Sequence, residues 1–252
     1  MSLLRLEENS RKGFSEHIFG VKFFELFRTK KTALRGLVLA LDWHASVLVS
    51  MYSFSRCFTH VKSLNRADTL IIFGFLAIPA SMYQFFIGNY FGRKPAYISS
   101  IIFSAVSIIF GELLYNTSHY KFNLFFLFTS NCFGFSSIIT ISLWNVELLP
   151  TSLRAIGLGI SCGCGMLLLF FISSIQLALK MGSQMLSVYI CTVVFLSVLP
   201  TTFSIILPET QNYDMPNDIE EYEMLGHPEF KKIQEARVNF YAEGGPLIQS
   251  LV

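Results

Sequence analysis

Six stretches of roughly 20 mainly apolar residues constrain this chain more than any other feature. They fall at 36–58, 70–90, 97–114, 122–146, 156–179 and 185–207 of its 252 residues. About 20 residues of helix rise about 30 Å, the thickness of a bilayer's hydrocarbon core. Each run is too long for a buried strand, and in lipid a helix satisfies its own backbone polar groups. Charged residues make up 14% of the chain, against about 25% in an ordinary soluble domain, which is too little polar surface to cover a compact soluble fold. The 26 phenylalanines suit faces packed on acyl chains. The expected fold class is an all-α membrane protein with six transmembrane helices, the third run being the shortest.

Several functions are disfavoured at once. The net charge of +2 and the lack of a basic run argue against a nucleic-acid partner. Cys57, Cys132, Cys162, Cys164 and Cys191 lie in or at the ends of apolar runs. The Cys162/Cys164 pair has neither the spacing nor the histidines of a metal site, so all five read as small packing residues. Paired carboxylates, a nucleophile–base set and a metal cluster are all missing, so neither enzyme activity nor a cofactor is expected. Residues 1–35 are polar and hold no apolar core like that of a cleavable signal.

Basic residues set the expected threading. With six spans both ends share one side, which then carries fourteen of the lysines and arginines against five on the other. Both termini are therefore expected in the cytoplasm, with the plasma membrane as the expected location. Three regions follow: 1–35, the six-span domain 36–207, and a tail 208–252 with nine acids against three bases. The tail buries little, though 228–241 has the makings of a short helix. Phe23-Phe24-Glu25-Leu26-Phe27-Arg28 reads either as an amphipathic segment on the inner leaflet or as a solvated helix. Asn116-Thr117-Ser118 matches a glycosylation acceptor, but it sits in a very short loop and is expected to stay unmodified in most molecules.

The short loops carry the specific information. Between the second and third runs stands Ile87-Gly88-Asn89-Tyr90-Phe91-Gly92-Arg93-Lys94-Pro95. Between the fourth and fifth stands Glu147-Leu148-Leu149-Pro150-Thr151-Ser152-Leu153-Arg154, leading into Gly157-Leu158-Gly159. The sixth run ends in Leu207-Pro208-Glu209-Thr210, Phe24-Glu25-Leu26-Phe27 leads to Arg35 and Trp43, and Ile78-Pro79-Ala80 lies in the second run. From about Phe23 to Thr210 these resemble the C-terminal half of the organic cation/anion transporter family (solute carrier family 22) of the major facilitator superfamily. The resemblance implies one half of a carrier bundle, translocation of a small organic solute by alternating access, and a first segment like the loop between the halves. A missing N-terminal half or a second copy is then the expected protein partner, with the bilayer around both.

Chemistry supplies roles for the loops independently of that resemblance. Gly92 suits a tight interhelical turn. Arg93, Glu147, Arg154 and Glu209 stand at four helix ends and are the candidate inner-gate charge cluster, closed in one state and broken in the other. Fixing topology is their plainer role. Gly157, Gly159, Gly163 and Gly165, with Ser161, Cys162 and Cys164 between, permit close helix approach or bending in the fifth run.

Ionisable groups inside lipid are costly and so invite a function. Here they are Asp42 and His44, flanking Trp43, and Glu112 near the end of the third run. Asp42 lies close enough to the boundary to snorkel, and His44 suits either a pH-sensitive role or a bond to a neighbouring backbone. Candidates for the solute path are Trp43, His44, Tyr52, Asn131, Phe135 and Met166, with Tyr83 and Trp144 as further aromatics, although packing alone would explain each. Family comparison raises a contrast: similar carriers place a charge where this chain has Met166, and many place basic groups where it has Ser81 and Asn131. A neutral, polar or zwitterionic solute is expected. The alternative is a non-transporting or regulatory half-carrier that assembles with another membrane protein.

Overall fold

The computed structural model describes residues 29–60, 66–114, 120–151, 153–178, 186–211, 216 and 224–225. Among them run six helices: α1 Lys30–His60, α2 Arg66–Tyr90, α3 Arg93–Leu113, α4 Tyr120–Leu148, α5 Arg154–Ala178 and α6 Leu186–Phe203. A 3-10 turn, Ser204–Ile206, follows α6, and no strand occurs among the described residues. Four segments are long and apolar enough to cross a membrane: Lys30–Cys57, Arg93–Leu113, Lys121–Leu148 and Arg154–Phe171. Thr192–Ile206 is a shorter apolar helix. The expected amphipathic segment at 23–28, the Asn116 acceptor and the possible tail helix at 228–241 lie outside the described residues.

The third helix is longer than the apolar pattern suggests. It begins at Arg93 rather than at 97, because the first turn of a helix tolerates both charge and proline. Pro95 sits in that turn, where its missing N–H would have had no intrahelical partner. Proline also stands inside two other helices, Pro79 in α2 and Pro200 in α6, as neighbouring helices and hydroxyls permit in a membrane.

α1 is the buried centre of the bundle, and α5 is largely exposed. α1 packs on α4, α5 and α6, α4 packs most extensively on α3, and α2 lies against α4 and α3. Between lipid-facing helices there is little hydrophobic driving force, so close packing and polar ties matter more than apolar area. Small residues make those ties here. Ser53 Oγ lies 2.6 Å from Ser130 Oγ, joining α1 to α4, and Ser104 of α3 donates to the Ser130 carbonyl at 2.7 Å. At Gly134 an added Cβ would stand 2.6 Å from Ser50 Oγ and 3.1 Å from Ser50 Cα, so α1 and α4 touch backbone to backbone.

The apolar core divides by height. At the Arg93 end, Val38, Leu39, Trp43, Tyr97, Ile101, Ile141, Trp144 and Leu148 pack together. Leu48, Val49, Tyr52, Ile108 and Val193 fill the next layer. Cys57 and Leu127 sit beneath Phe54, Phe128 and Phe135. Cys57, Cys132, Cys162 and Cys164 are free thiols.

Candidate functional site

The α2–α3 connection is only Phe91 and Gly92, and Gly92 takes φ 99°, a conformation that penalises any side chain. The turn points the start of α3 at the segment after α6. There Glu209 accepts hydrogen bonds from the backbone N–H groups of Arg93 at 2.8 Å and Lys94 at 3.0 Å. A carboxylate suits that place, since a helix N-terminus presents unpaired N–H groups and the positive end of its dipole. Glycine is required twice over: an added Cβ at Gly92 would lie 2.7 Å from Glu209 Cδ.

The Arg93 side chain turns the other way, to α4. Its Nη2 donates to Glu147 Oε1 at 2.9 Å and its Nε to the same oxygen at 3.1 Å. Thr210 Oγ1 donates to Glu147 Oε2 at 2.6 Å. Lys94 Nζ meets the carbonyls of Ile205 at 2.7 Å and Leu207 at 2.9 Å, a cation on the unpaired carbonyls that end a helix. Trp144 Nε1 donates to the Pro208 carbonyl at 3.3 Å. The segment 207–210 is thus strapped across the start of α3 and the end of α4. The Arg93 and Glu147 side chains keep about a fifth of their surface exposed, so solvent weakens the pair.

Three of the four expected cluster residues meet, though Glu209 meets the backbone of Arg93 and not its guanidinium. Arg154 is set apart. Its Nη2 lies 3.5 Å from the Leu149 carbonyl in its own loop, and no described ion pair or hydrogen bond joins it to Glu147 or Glu209. The Pro150 turn, closed by Leu153 N–H on the Pro150 carbonyl at 3.0 Å, carries Arg154 to the start of another helix. Lys94 and Thr210 belong to the cluster instead. Both stood inside the quoted motifs, and only the helix-end rule singles out Lys94.

The six path candidates do not share one surface. His44 is buried and places Nδ1 3.3 Å from the Gly165 carbonyl of α5, the backbone bond that was its plainer role. Trp43 is buried beside it, with its Cβ 3.1 Å from where Gly165 would carry one. Tyr52 donates its hydroxyl to Glu112 at 2.8 Å. Asn131 donates to the Ser50 carbonyl at 3.3 Å and leaves its own Oδ1 without a described partner. Phe135 is half-buried and packs against the Cys57 and Leu127 layer. Met166 is exposed, on the outward side of α5. Trp144 is fully buried and Tyr83 bonds Ser99 at 2.8 Å.

Two polar groupings were not anticipated. Asp42 does not snorkel: it is fully buried and accepts from Ser204 Oγ at 2.9 and 3.1 Å. Glu112 is held by Arg56 as well as by Tyr52. Both partners lie far away in sequence, so no local pattern announces them.

No protein-family model matches the chain. Curated relatives do. Human solute carrier family 22 member 7 is 26% identical over 207 residues, covering 82% of this chain and 36% of that protein. Among Drosophila melanogaster proteins, a carcinine transporter is 25% identical over 88% of this chain and 33% of its own length. A beta-alanine transporter from the same species is 26% identical over 80% of this chain and 32% of its own. The chain therefore spans about a third of the length of these relatives. They are transporters rather than enzymes, and the helices described above are those of a multi-pass membrane protein. Over about four fifths of its length, then, the chain is homologous to solute carriers of family 22 and to transporters related to them.

Proposed function

We propose that this chain acts as the C-terminal six-helix half of a carrier that moves a small organic solute by alternating access. The observation that supports it most is the strap. A single short segment, 207–210, is tied by charge-assisted and helix-end hydrogen bonds to both α3 and α4. Its ties are a carboxylate on two backbone N–H groups, a lysine on a carbonyl and a hydroxyl on Glu147, and single hydrogen bonds of modest net strength suit a contact that must form and break in each cycle. Arg93, Glu147 and Glu209 are the working parts of this gate, and Arg154 serves the neighbouring loop.

The threading that goes with this reading keeps both termini in the cytoplasm of a plasma-membrane protein, so that the strap closes the cytoplasmic side. Protease or impermeant label applied outside intact cells should then leave the acidic tail untouched. The solute is a neutral, polar or zwitterionic molecule, because Met166, Ser81 and Asn131 offer no charge to hold a simple organic ion. Relatives named for carcinine and beta-alanine give a first panel of candidates. A carrier needs a second bundle to rock against, and we infer either an N-terminal half or a second copy in that place.

Uptake into proteoliposomes holding the full-length carrier tests the reading. Glu147→Gln should slow exchange between inward- and outward-facing states and reduce uptake. Unchanged uptake and unchanged exchange would remove the gate from the account.

A further inference from the structure

We propose that Asp42 is a proton-binding site, taking up a proton when the turn after α6 docks on α1 and releasing it when that turn moves away. The site itself stands on geometry. Its consequence, coupling of proton movement to solute movement, rests on the transporter reading above.

Asp42 is 0% exposed within α1. One neutral hydroxyl, Ser204 Oγ, serves both carboxyl oxygens, at 2.9 and 3.1 Å. Two other hydroxyls donate to the Asp42 main-chain carbonyl, Tyr97 OH at 2.9 Å and Ser46 Oγ at 3.0 Å, and the Tyr97 hydroxyl also stands within reach of the carboxyl group. No lysine, arginine or histidine among the described residues forms an ion pair with it. A buried carboxylate with only neutral donors and no described counter-ion is unfavourable, and binding a cation relieves it. An alkali ion needs a shell of several oxygens, whereas this site offers a carboxyl group and a hydroxyl. A proton is the cation that fits.

The described charged groups nearest Asp42 on α1, α3, α4 and α5 have partners of their own. On α1 itself, Arg35 donates to the Leu225 carbonyl at 3.2 Å and His44 turns to α5 and the Gly165 carbonyl. From α3, Tyr97 meets the main chain and Lys94 is held by the carbonyls of Ile205 and Leu207. From α4, Glu147 is held by Arg93 and Thr210. On α5, the described charge is Arg154, against the Leu149 carbonyl.

Ser204 is the first residue of the turn that Lys94 grips from α3, and Glu209 follows at the start of α3. The strap that closes the Arg93 end is therefore continuous with the cover over Asp42. When the strap leaves, water reaches the carboxyl group, the O–H bond breaks and the proton passes to water. When it returns, the carboxylate takes a proton from hydronium and leaves water. No other reactant takes part.

Infrared spectroscopy of the full chain in lipid bilayers tests the site without requiring transport. A neutral-carboxyl carbonyl stretch should be present at neutral pH and shift on deuterium exchange. It should vanish in Asp42→Asn and move in frequency in Ser204→Ala, which removes the hydroxyl that bonds both carboxyl oxygens. No such band, a band that survives Asp42→Asn, or one that appears only when sodium is withdrawn would overturn the proposal. Should Asp42→Asn fail to fold, the Ser204→Ala sample decides, and an unmoved band overturns it. A band that behaves as expected in a protein that takes up no solute upholds the site and counts against the transporter reading.

Discussion

Arg56 of α1 grips Glu112 of α3 through Nε at 2.5 Å and Nη2 at 2.6 Å, and Tyr52 adds a third bond to the same carboxylate at 2.8 Å. This lies at the end of α3 opposite Arg93. Charges thus fasten both ends of that helix, to the strap and α4 at its start and to α1 at its finish. The Glu112 side chain is only 5% exposed, so the arginine and the tyrosine take the place of water around it.

Removing one member should therefore cost more than removing both. Arg56→Met alone should lower unfolding free energy by about 3 kcal/mol, because it strands a buried carboxylate. The pair Arg56→Met with Glu112→Leu should recover most of that loss, and Tyr52→Phe should cost about 1 kcal/mol. Thermal unfolding of the purified protein in detergent measures all three. Equal losses in the single and the double variant would contradict the buried-pair account.

Gly92→Ala should destabilise the chain by about 1–2 kcal/mol, since it places a side chain at positive φ and pushes on Glu209. Gly159→Ala and Gly163→Ala are controls, because an added Cβ meets nothing within 4 Å at either. They should leave the melting temperature unchanged or raise it, alanine being the better helix former.

Glu209→Gln keeps the shape of the strap but removes its charge from the start of α3. A loss of about 0.5–1 kcal/mol is expected, the size of a charge–dipole contact at low ionic strength. Added salt should shrink the difference between wild type and variant. A salt-independent difference would mean that the hydrogen bonds, and not the charge, hold the strap.

Gly134→Val should separate α1 from α4, because backbone as well as side chain stands in the way at Ser50. Overpacking of this kind costs about 1–3 kcal/mol. A disulfide engineered between neighbouring positions of α1 and α4 should form in wild type and form more slowly in this variant.

The apolar runs and the loops were legible in different ways. Each run lies within a helix, or nearly so, and four of those helices are long and apolar enough, among the described residues, to cross a membrane. Their ends were less legible: α3 gains a turn holding Arg93, Lys94 and Pro95, which a hydropathy pattern discards and helix geometry accepts. Gly92 could be assigned to its turn because its special conformation is a local property. Arg154 stands away from Glu147 and Glu209 for the opposite reason. Its charge suits a cluster, but the Pro150 turn aims it elsewhere.

What the sequence settled by itself is whatever depends on neighbours along the chain: helices long enough for a bilayer, a tight turn at Gly92, and motifs shared with solute carriers. Which charge meets which was decided only by packing. Asp42 and Ser204 are 162 residues apart, Arg56 and Glu112 are 56 apart, and a helix presents each side chain in a direction that means nothing until another helix lies against it. Contact energy between distant residues exists only once the bundle has fixed their distance, and no reading of one segment contains that distance.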